Sequence, residues 1–295
     1  MFMERVKTNF DKVIGEGLIG KAYAGKAKIG GKLKPVVVKY IHEKYTHWEK
    51  DSLDPVIVDL KARKVQIRKS HYDKAINALH ALRGKYSRVK VARQEFRLDA
   101  YGQPVLVSES FLKNGQTREV SFGREFESNL FRGSKSTHDL INFGVDLLKQ
   151  GIPLHPDAFS IVDGKKPFVV ARDPDTLAHG VAKLEADDST EPVDWTCKFF
   201  NRINNIHAYG GFSPKRQKEL IEAALVARPI ITDKEKLQIA ARRVKLLKKI
   251  IHEVIKADIP HKNFKDWLVF KLENNLIELK KASKRIKNPM LYYEI

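Results

Sequence analysis

The chain has 295 residues, 42% hydrophobic and 31% charged, a composition that excludes a disordered or fibrous protein and suits one bilobal unit or two ordinary domains. Lys and Arg number 55 against 36 Asp and Glu, a net charge of +19 that points to an anionic partner. The single cysteine, Cys197, excludes a disulfide scaffold and a Cys-pair zinc site, the start carries no signal-peptide core, and no apolar run reaches the ~18 residues of a membrane span.

From residue 6 to 41 the chain reads as β. One strand is predicted near Lys12 to Gly15, a second over Lys21 to Ile29, a turn at Gly30-Gly31, and a third strand in the β-branched run Val36 to Ile41. Residues 52 to 84 take on a helical period, with Val56, Leu60, Val65, Ile76, Leu79 and Leu82 spaced for one or two amphipathic helices. Two short strands follow, Val91 to Leu98 and Val105 to Val107, joined by the turn Tyr101-Gly102-Gln103-Pro104. Apolar spacing predicts a helix over 140–150 that stops at Gly151. Ile161-Val162, the turn Asp163 to Lys166 and Phe168 to Val170 read as a hairpin. Everything beyond about 190 reads helical, with long helices over 233–257 and 263–287 whose ends are marked by Pro260 and Pro289.

Between the first two strands lies Gly15-Glu16-Gly17-Leu18-Ile19-Gly20, a G-x-G-x-x-G pattern followed by a strand and not by the helix that a dinucleotide fingerprint requires. A strand–turn–strand of this kind lets the backbone lie close over nucleotide phosphates, where a Cβ would collide. An ordinary hairpin turn explains the same residues. Lys39, 19 positions after Gly20 at the end of a Val-Val-Val run, would set a fixed positive charge against the α- and β-phosphates.

This layout resembles the protein-kinase-like superfamily, and above all its small bacterial members such as the lipopolysaccharide core sugar kinases, through most of residues 10–225. The resemblance implies an α+β, bilobal fold: a β-rich nucleotide-binding N-lobe over 1–110, a helical C-lobe with a catalytic-loop-like hairpin over 111–227, and a basic helical extension over 228–295. It implies ATP and Mg2+ as cofactors, with Gly15, Gly17, Gly20 and Lys39 on the phosphates and a hinge at Val107-Ser108-Glu109 whose backbone binds the adenine. His155-Pro156-Asp157 resembles the H-R-D motif, which makes Asp157 the acceptor of the substrate hydroxyl proton. Arg172-Asp173-Pro174 stands in the D-F-G place, which makes Asp173 the magnesium ligand. Asp194-Trp195 and the stretch Phe212 to Gln217 are similar in layout to a helix and turn late in the sugar-kinase branch. As isolated loop residues, Asp157 and Asp173 read equally well as caps or turns.

Several motifs are degenerate. The family's asparagine, five positions past Asp157, falls on Val162, which cannot bind a cation. An alternative register puts Ala158 at the asparagine and Pro153 at the catalytic aspartate; Ser160 is a weak substitute in either. No glutamate lies between Glu49 and Glu95, so the usual partner of Lys39 is Asp73, Asp59 or absent. Two functions therefore stay open: an ATP- and Mg2+-dependent phosphotransferase acting on a hydroxyl of a protein or an anionic glycolipid sugar, and an inactive pseudokinase or binding module whose basic helices hold an anionic partner.

The charge is unevenly placed. Residues 52–97 carry 12 Lys and Arg against 4 Asp and Glu, and residues 214–295 carry 20 against 10. Solvated helix faces explain any single run, such as Lys61-Ala62-Arg63-Lys64 or Arg242-Arg243-Val244-Lys245. The summed excess suits lipid head groups or nucleic acid. The expectation is a cytoplasmic protein able to sit peripherally at the inner face of a membrane.

Overall fold

Alternating β-branched residues build the front of the molecule. In the computed structural model, which describes residues 6–16, 20–29, 31–42, 46–47, 57–60, 65–111, 118–121, 134–163, 168–210, 212–213, 215–216, 219 and 231–287, they form three long antiparallel strands. These are β1 (Lys7–Glu16), β2 (Gly20–Ile29) and β3 (Lys32–Ile41). They continue through β9 (Pro104–Glu109) to β8 (Gln94–Leu98) in one five-stranded sheet of order β1-β2-β3-β9-β8. The two outer strands curl towards each other. Val6 bridges Asp99, the Val6 amide donates to the Leu98 carbonyl at 3.2 Å, and the Arg97 guanidinium donates to the Lys28 carbonyl at 3.1 Å. The nearly closed sheet buries Val6, Ala27, Val36, Val38, Val105 and Val107 inside it. With Val36 and Val38 turned inward, strand alternation sends Lys39 to the opposite face.

The predicted helical character of 52–84 is corrected at its first half. Residues 57–60 and 65–68 are strands β5 (Ile57–Leu60) and β6 (Val65–Arg68), which pair with each other and with β4 (Thr46–His47). Val65 and Ile67 are buried while Gln66 and Arg68 are exposed, a period of two that the helical template does not register. The helix α1 begins only at Lys69 and runs to Ala81 (Lys69–Ala81). The run 61–64, the turn residues Gly30 and 164–166, and Pro289 lie outside the described residues.

The back of the molecule is helical, with a second sheet of order β10-β11-β12-β7 let into it. Its strands are β10 (Arg118–Ser121), β11 (Phe159–Asp163), β12 (Phe168–Ala171) and β7 (Val89–Val91), the last parallel to β12. The expected hairpin is β11–β12. The expected helix over 140–150 starts earlier, as α2 (Ser134–Lys149), and ends where Gly151 takes φ +72° and the Ile152 amide turns back to the Leu147 carbonyl at 3.0 Å.

A helix that the sequence did not suggest, α3 (Pro174–Glu185), follows β12 directly, and α4 (Thr190–Tyr209) comes next. The two long helices are α5 (Asp233–Lys256) and α6 (Lys262–Lys287). Helix α5 is opened by a reciprocal cap: Thr232 Oγ1 accepts from the Glu235 amide, and Glu235 accepts from the Thr232 amide. One core joins α1, α2, the second sheet, α3, α4, α5 and α6 around Phe143, Phe159, Phe199, Phe200, Leu247 and Phe264. Each such side chain contributes about 1.5–3 kcal/mol on burial. The architecture is therefore α+β and two-lobed: a β-rich front, and a helical back whose last two helices share its core. No helix among the described residues is long and apolar enough to cross a membrane.

Candidate functional site

A cleft of about 640 Å³ opens between the front sheet and the second sheet. The β1–β2 hairpin roofs it with Ile14, Gly15, Glu16 and Gly20. Lys39 and Leu106 form its inner wall, Ser108 to Phe111 its side, and Val162, Val170, Arg172 and Asp173 its floor. The structure thus brings Gly15, Gly20, Lys39, Glu109 and Asp173 to one cavity. Gly17 lies outside the described residues.

The two described glycines differ. A Cβ on Gly20 would stand 2.2 Å from the Tyr40 carbonyl oxygen, so close approach of β2 to β3 already requires glycine there. A Cβ on Gly15 would meet nothing within 4 Å, so its small size leaves open space over the cleft and answers no need of the fold itself.

Lys39 is the centre of an ionic corner. Its ammonium donates to Asp173 Oδ1 at 3.4 Å and, more tightly, to Asp175 Oδ2. The last turn before α3 explains how two aspartates arrive together. Asp173 is the N-cap of α3, its Oδ1 accepting from the Asp175 amide at 3.2 Å; Pro174 takes the first helical position and Asp175 the second. The Asp175 carboxylate is only 2% exposed, whereas Asp173 is 33% exposed and Lys39 19%. Burial alone would lower the Lys39 pKa, but the facing charges of Asp175 and Asp173 outweigh it and hold the amine above its usual range, as an ammonium. Burial pushes Asp175 upward, with repulsion from Asp173 adding to the effect and attraction from Lys39 opposing it. Beside this corner the Tyr72 hydroxyl of α1 is also buried, and burial followed by the nearness of Asp175 raises its pKa well above the usual phenol value.

Asp73 does not supply the partner of Lys39: it pairs with Lys69 one helical turn back, at 2.6 Å, on the surface of α1. The side chain of Asp59 lies outside the described residues. Asp175 is the member of this ionic corner that sequence reasoning missed. The signal was present in Asp173-Pro174-Asp175, an N-cap followed by proline and an acidic first turn, which marks a helix start.

Glu109 lines the cleft, but its amide already donates to the Arg93 carbonyl at 2.8 Å and its carboxylate accepts from Arg83 at 3.1 Å. Of the expected hinge, Ser108 and Glu109 line the cleft while Val107 is buried inside the front sheet; past the end of β9 the wall continues with Ser110 and Phe111.

Asp157 stands apart. It follows His155, whose Nδ1 accepts the Asp157 amide at 3.1 Å, in a short 3₁₀ turn, and its carboxylate is 66% exposed and outside the cleft lining. The same turn is nevertheless stitched to the floor, because the Ala158 carbonyl accepts from the Arg172 amide at 3.1 Å and the Asp173 amide at 3.3 Å. Val162 is buried in the floor with Ala92 and Val170, Ala158 is fully buried, and Pro153 packs against Gly180, where a Cβ would meet its Cγ at 2.5 Å. Neither register therefore provides an amide side chain. Ser160, two residues before Val162, is buried outside the lining.

For a divalent cation the donor set is small. Among the described residues no group of three or more His, Cys, Asp or Glu is placed to hold a metal ion. Magnesium, however, commonly binds through one or two carboxylates with phosphate oxygens completing the shell, and Asp173, facing the cleft below the open space at Gly15, fits that pattern.

No family model matches the chain, and no curated protein matches it. Among solved structures it is similar to the crystal structure of a Helicobacter pylori proinflammatory kinase, CtkA, with 13% identity and a TM-score of 0.32 over 97% of this chain and 96% of that one.

Proposed function

We propose that the chain is a protein-kinase-like phosphotransferase that moves a phosphoryl group from ATP to a hydroxyl, with Mg2+. The observation that carries this reading is the contact between Lys39 and Asp173, 134 residues apart, at the end of a cleft roofed by the glycine hairpin. Lys39 presents an ammonium to the α- and β-phosphates, and Gly15 leaves room for them under the roof. Leu106, Val162, Val170 and Phe111 offer an apolar slot for the base. Asp173 would hold the cation, which when bound offsets charge on the β- and γ-phosphates. Asp157 would take the proton of the attacking hydroxyl. The test is a thermal-shift titration with ATP, with and without Mg2+, followed by transfer from radiolabelled ATP. A wild-type protein whose melting temperature ignores Mg2+ and ATP together would sink this reading.

A second reading, nucleotide binding without transfer, is favoured by the 66% exposure of Asp157 and by the apolar side chains at Val162 and Ala158. Stabilisation by Mg2+ and ATP with no phosphate transferred or released would select it. Either reading leaves room for an anionic partner. On α5 the exposed residues Lys234, Lys245, Lys248 and Lys256 lie within about 40° of one line over ~33 Å, while Leu246, Leu247, Ile250 and Val254 on the other side are in the core. With that apolar face buried, the lysine column is the main feature this side of α5 offers a partner, beside the exposed Ile255. Binding of a polyanion through it would weaken steeply with salt.

A further inference from the structure

Lys39 has two carboxylates where one would neutralise it, and the two are not equivalent. Asp173 is the one turned to the cleft, and among the described residues its Oδ1 accepts from the Lys39 ammonium and the Asp175 amide. Asp175 faces away from solvent, fixed by the helix that it starts. Its Oδ2 takes the ammonium, and the buried Tyr72 hydroxyl stands beside the carboxylate as a neutral neighbour. Tyr72 is in turn held by an edge-to-face contact with Phe96 at 5.2 Å. A carboxylate so deeply buried persists only where a counter-charge holds it.

We propose that Asp175 is a positioning residue: from the start of α3 its buried carboxylate anchors the Lys39 ammonium to the helical lobe and so leaves the outer oxygen of Asp173 available to a divalent cation carried in with the nucleotide. This rests on the reading of the cleft as a site for a nucleotide and its cation. Without Asp175, Lys39 would have Asp173 as its remaining carboxylate and would compete with the cation for it. The competition is specific. It raises the Mg2+ concentration needed at fixed ATP, whereas loss of packing alone would lower stability without changing the Mg2+ requirement.

The experiment measures Mg2+ half-saturation of the ATP-induced thermal shift in the wild type, Asp175→Asn and Asp175→Glu. The expected result is a rise of five- to twenty-fold in the Mg2+ midpoint for Asp175→Asn and a smaller rise for Asp175→Glu. An unchanged midpoint in a folded Asp175→Asn overturns the proposal while leaving the nucleotide site intact. A wild type that shows no Mg2+-dependent response overturns the reading beneath it instead. Should Asp175→Asn not fold, the Lys39→Met and Asp175→Leu variants and their combination decide. The double variant is expected to melt above either single one, because the buried charges depart together; strictly additive losses would refute the pairing.

Discussion

The ionic corner of the cleft and the turn that carries Asp157 are built to different standards. In the corner Lys39, Asp173 and Asp175 close on one another, two of them at one helix start and the third on β3. Asp157, outside the cleft lining, stands on a short turn with its carboxylate 66% exposed, its amide bonded to His155 Nδ1 and that ring nitrogen 3.8 Å from the carboxylate. The difference teaches that gripping a phosphate and activating a hydroxyl are separate demands. The first needs fixed charge, which burial sharpens; the second needs a carboxylate within reach of a second molecule, which exposure permits.

The comparison breaks most sharply at Asp157. If that turn works, Asp157→Asn should reduce transfer by about 10²–10⁴-fold while leaving the ATP-induced thermal shift untouched; equal transfer by variant and wild type would mean that the exposed carboxylate does no chemistry. Next in size is Lys39→Ala, which strands Asp175 as a buried, unpaired charge and should cost about 3–5 kcal/mol in urea unfolding. A loss below about 1 kcal/mol would show that the corner is looser than its geometry.

The roof separates fold from ligand. Gly20→Ala should destabilise by about 1–3 kcal/mol, since its Cβ would press on the Tyr40 carbonyl. Gly15→Ala should stay within about 0.5 kcal/mol of the wild type and yet weaken ATP binding several-fold, as read by calorimetry. The smallest effect is a control away from both the corner and the Asp157 turn. Asp146 accepts from Lys85, from the Tyr86 hydroxyl at 2.5 Å and from Lys149 at 3.1 Å. Burial would raise its pKa, but these donors prevail and lower it. Its contribution is therefore complete above the unfolded carboxylate value near 3.8 and fades as pH falls through the lower folded one. Asp146→Asn should cost about 1 kcal/mol at pH 7, the gap to wild type closing in acid, with ATP binding unchanged.

Local patterns were readable wherever one element supplied its own signal. The Val36 to Ile41 run announced β3 and placed Lys39 on it, and the long helical stretch expected over 233–257 is α5. Errors came where two periods overlap in a short stretch: Val65-Gln66-Ile67-Arg68 alternates for only four residues, too briefly to compete with the helix that follows it. Gly15, Lys39 and Asp173 came forward as candidates because each sits in a motif-like stretch, and the structure gathers them at one cleft. The partner of Lys39 did not, because it lies 136 positions away and its sequence cue, an aspartate after a proline, speaks of a helix start and says nothing of a lysine on another lobe.

Strand β1 carries Phe10, Val13 and Ile14 at 44–48% exposure on the outermost strand of the front sheet, an arrangement that invites a second copy to add its own strand there. Its register with β2 slips between Asn9 and Val13 and again between Val13 and Gly15, and its base is already bridged to the end of β8. A kinked edge with Lys7 and Lys12 along it gives an incoming chain no straight ladder of amides to copy. The irregularity that bends the roof over the cleft thus also guards the protein against sheet-to-sheet aggregation.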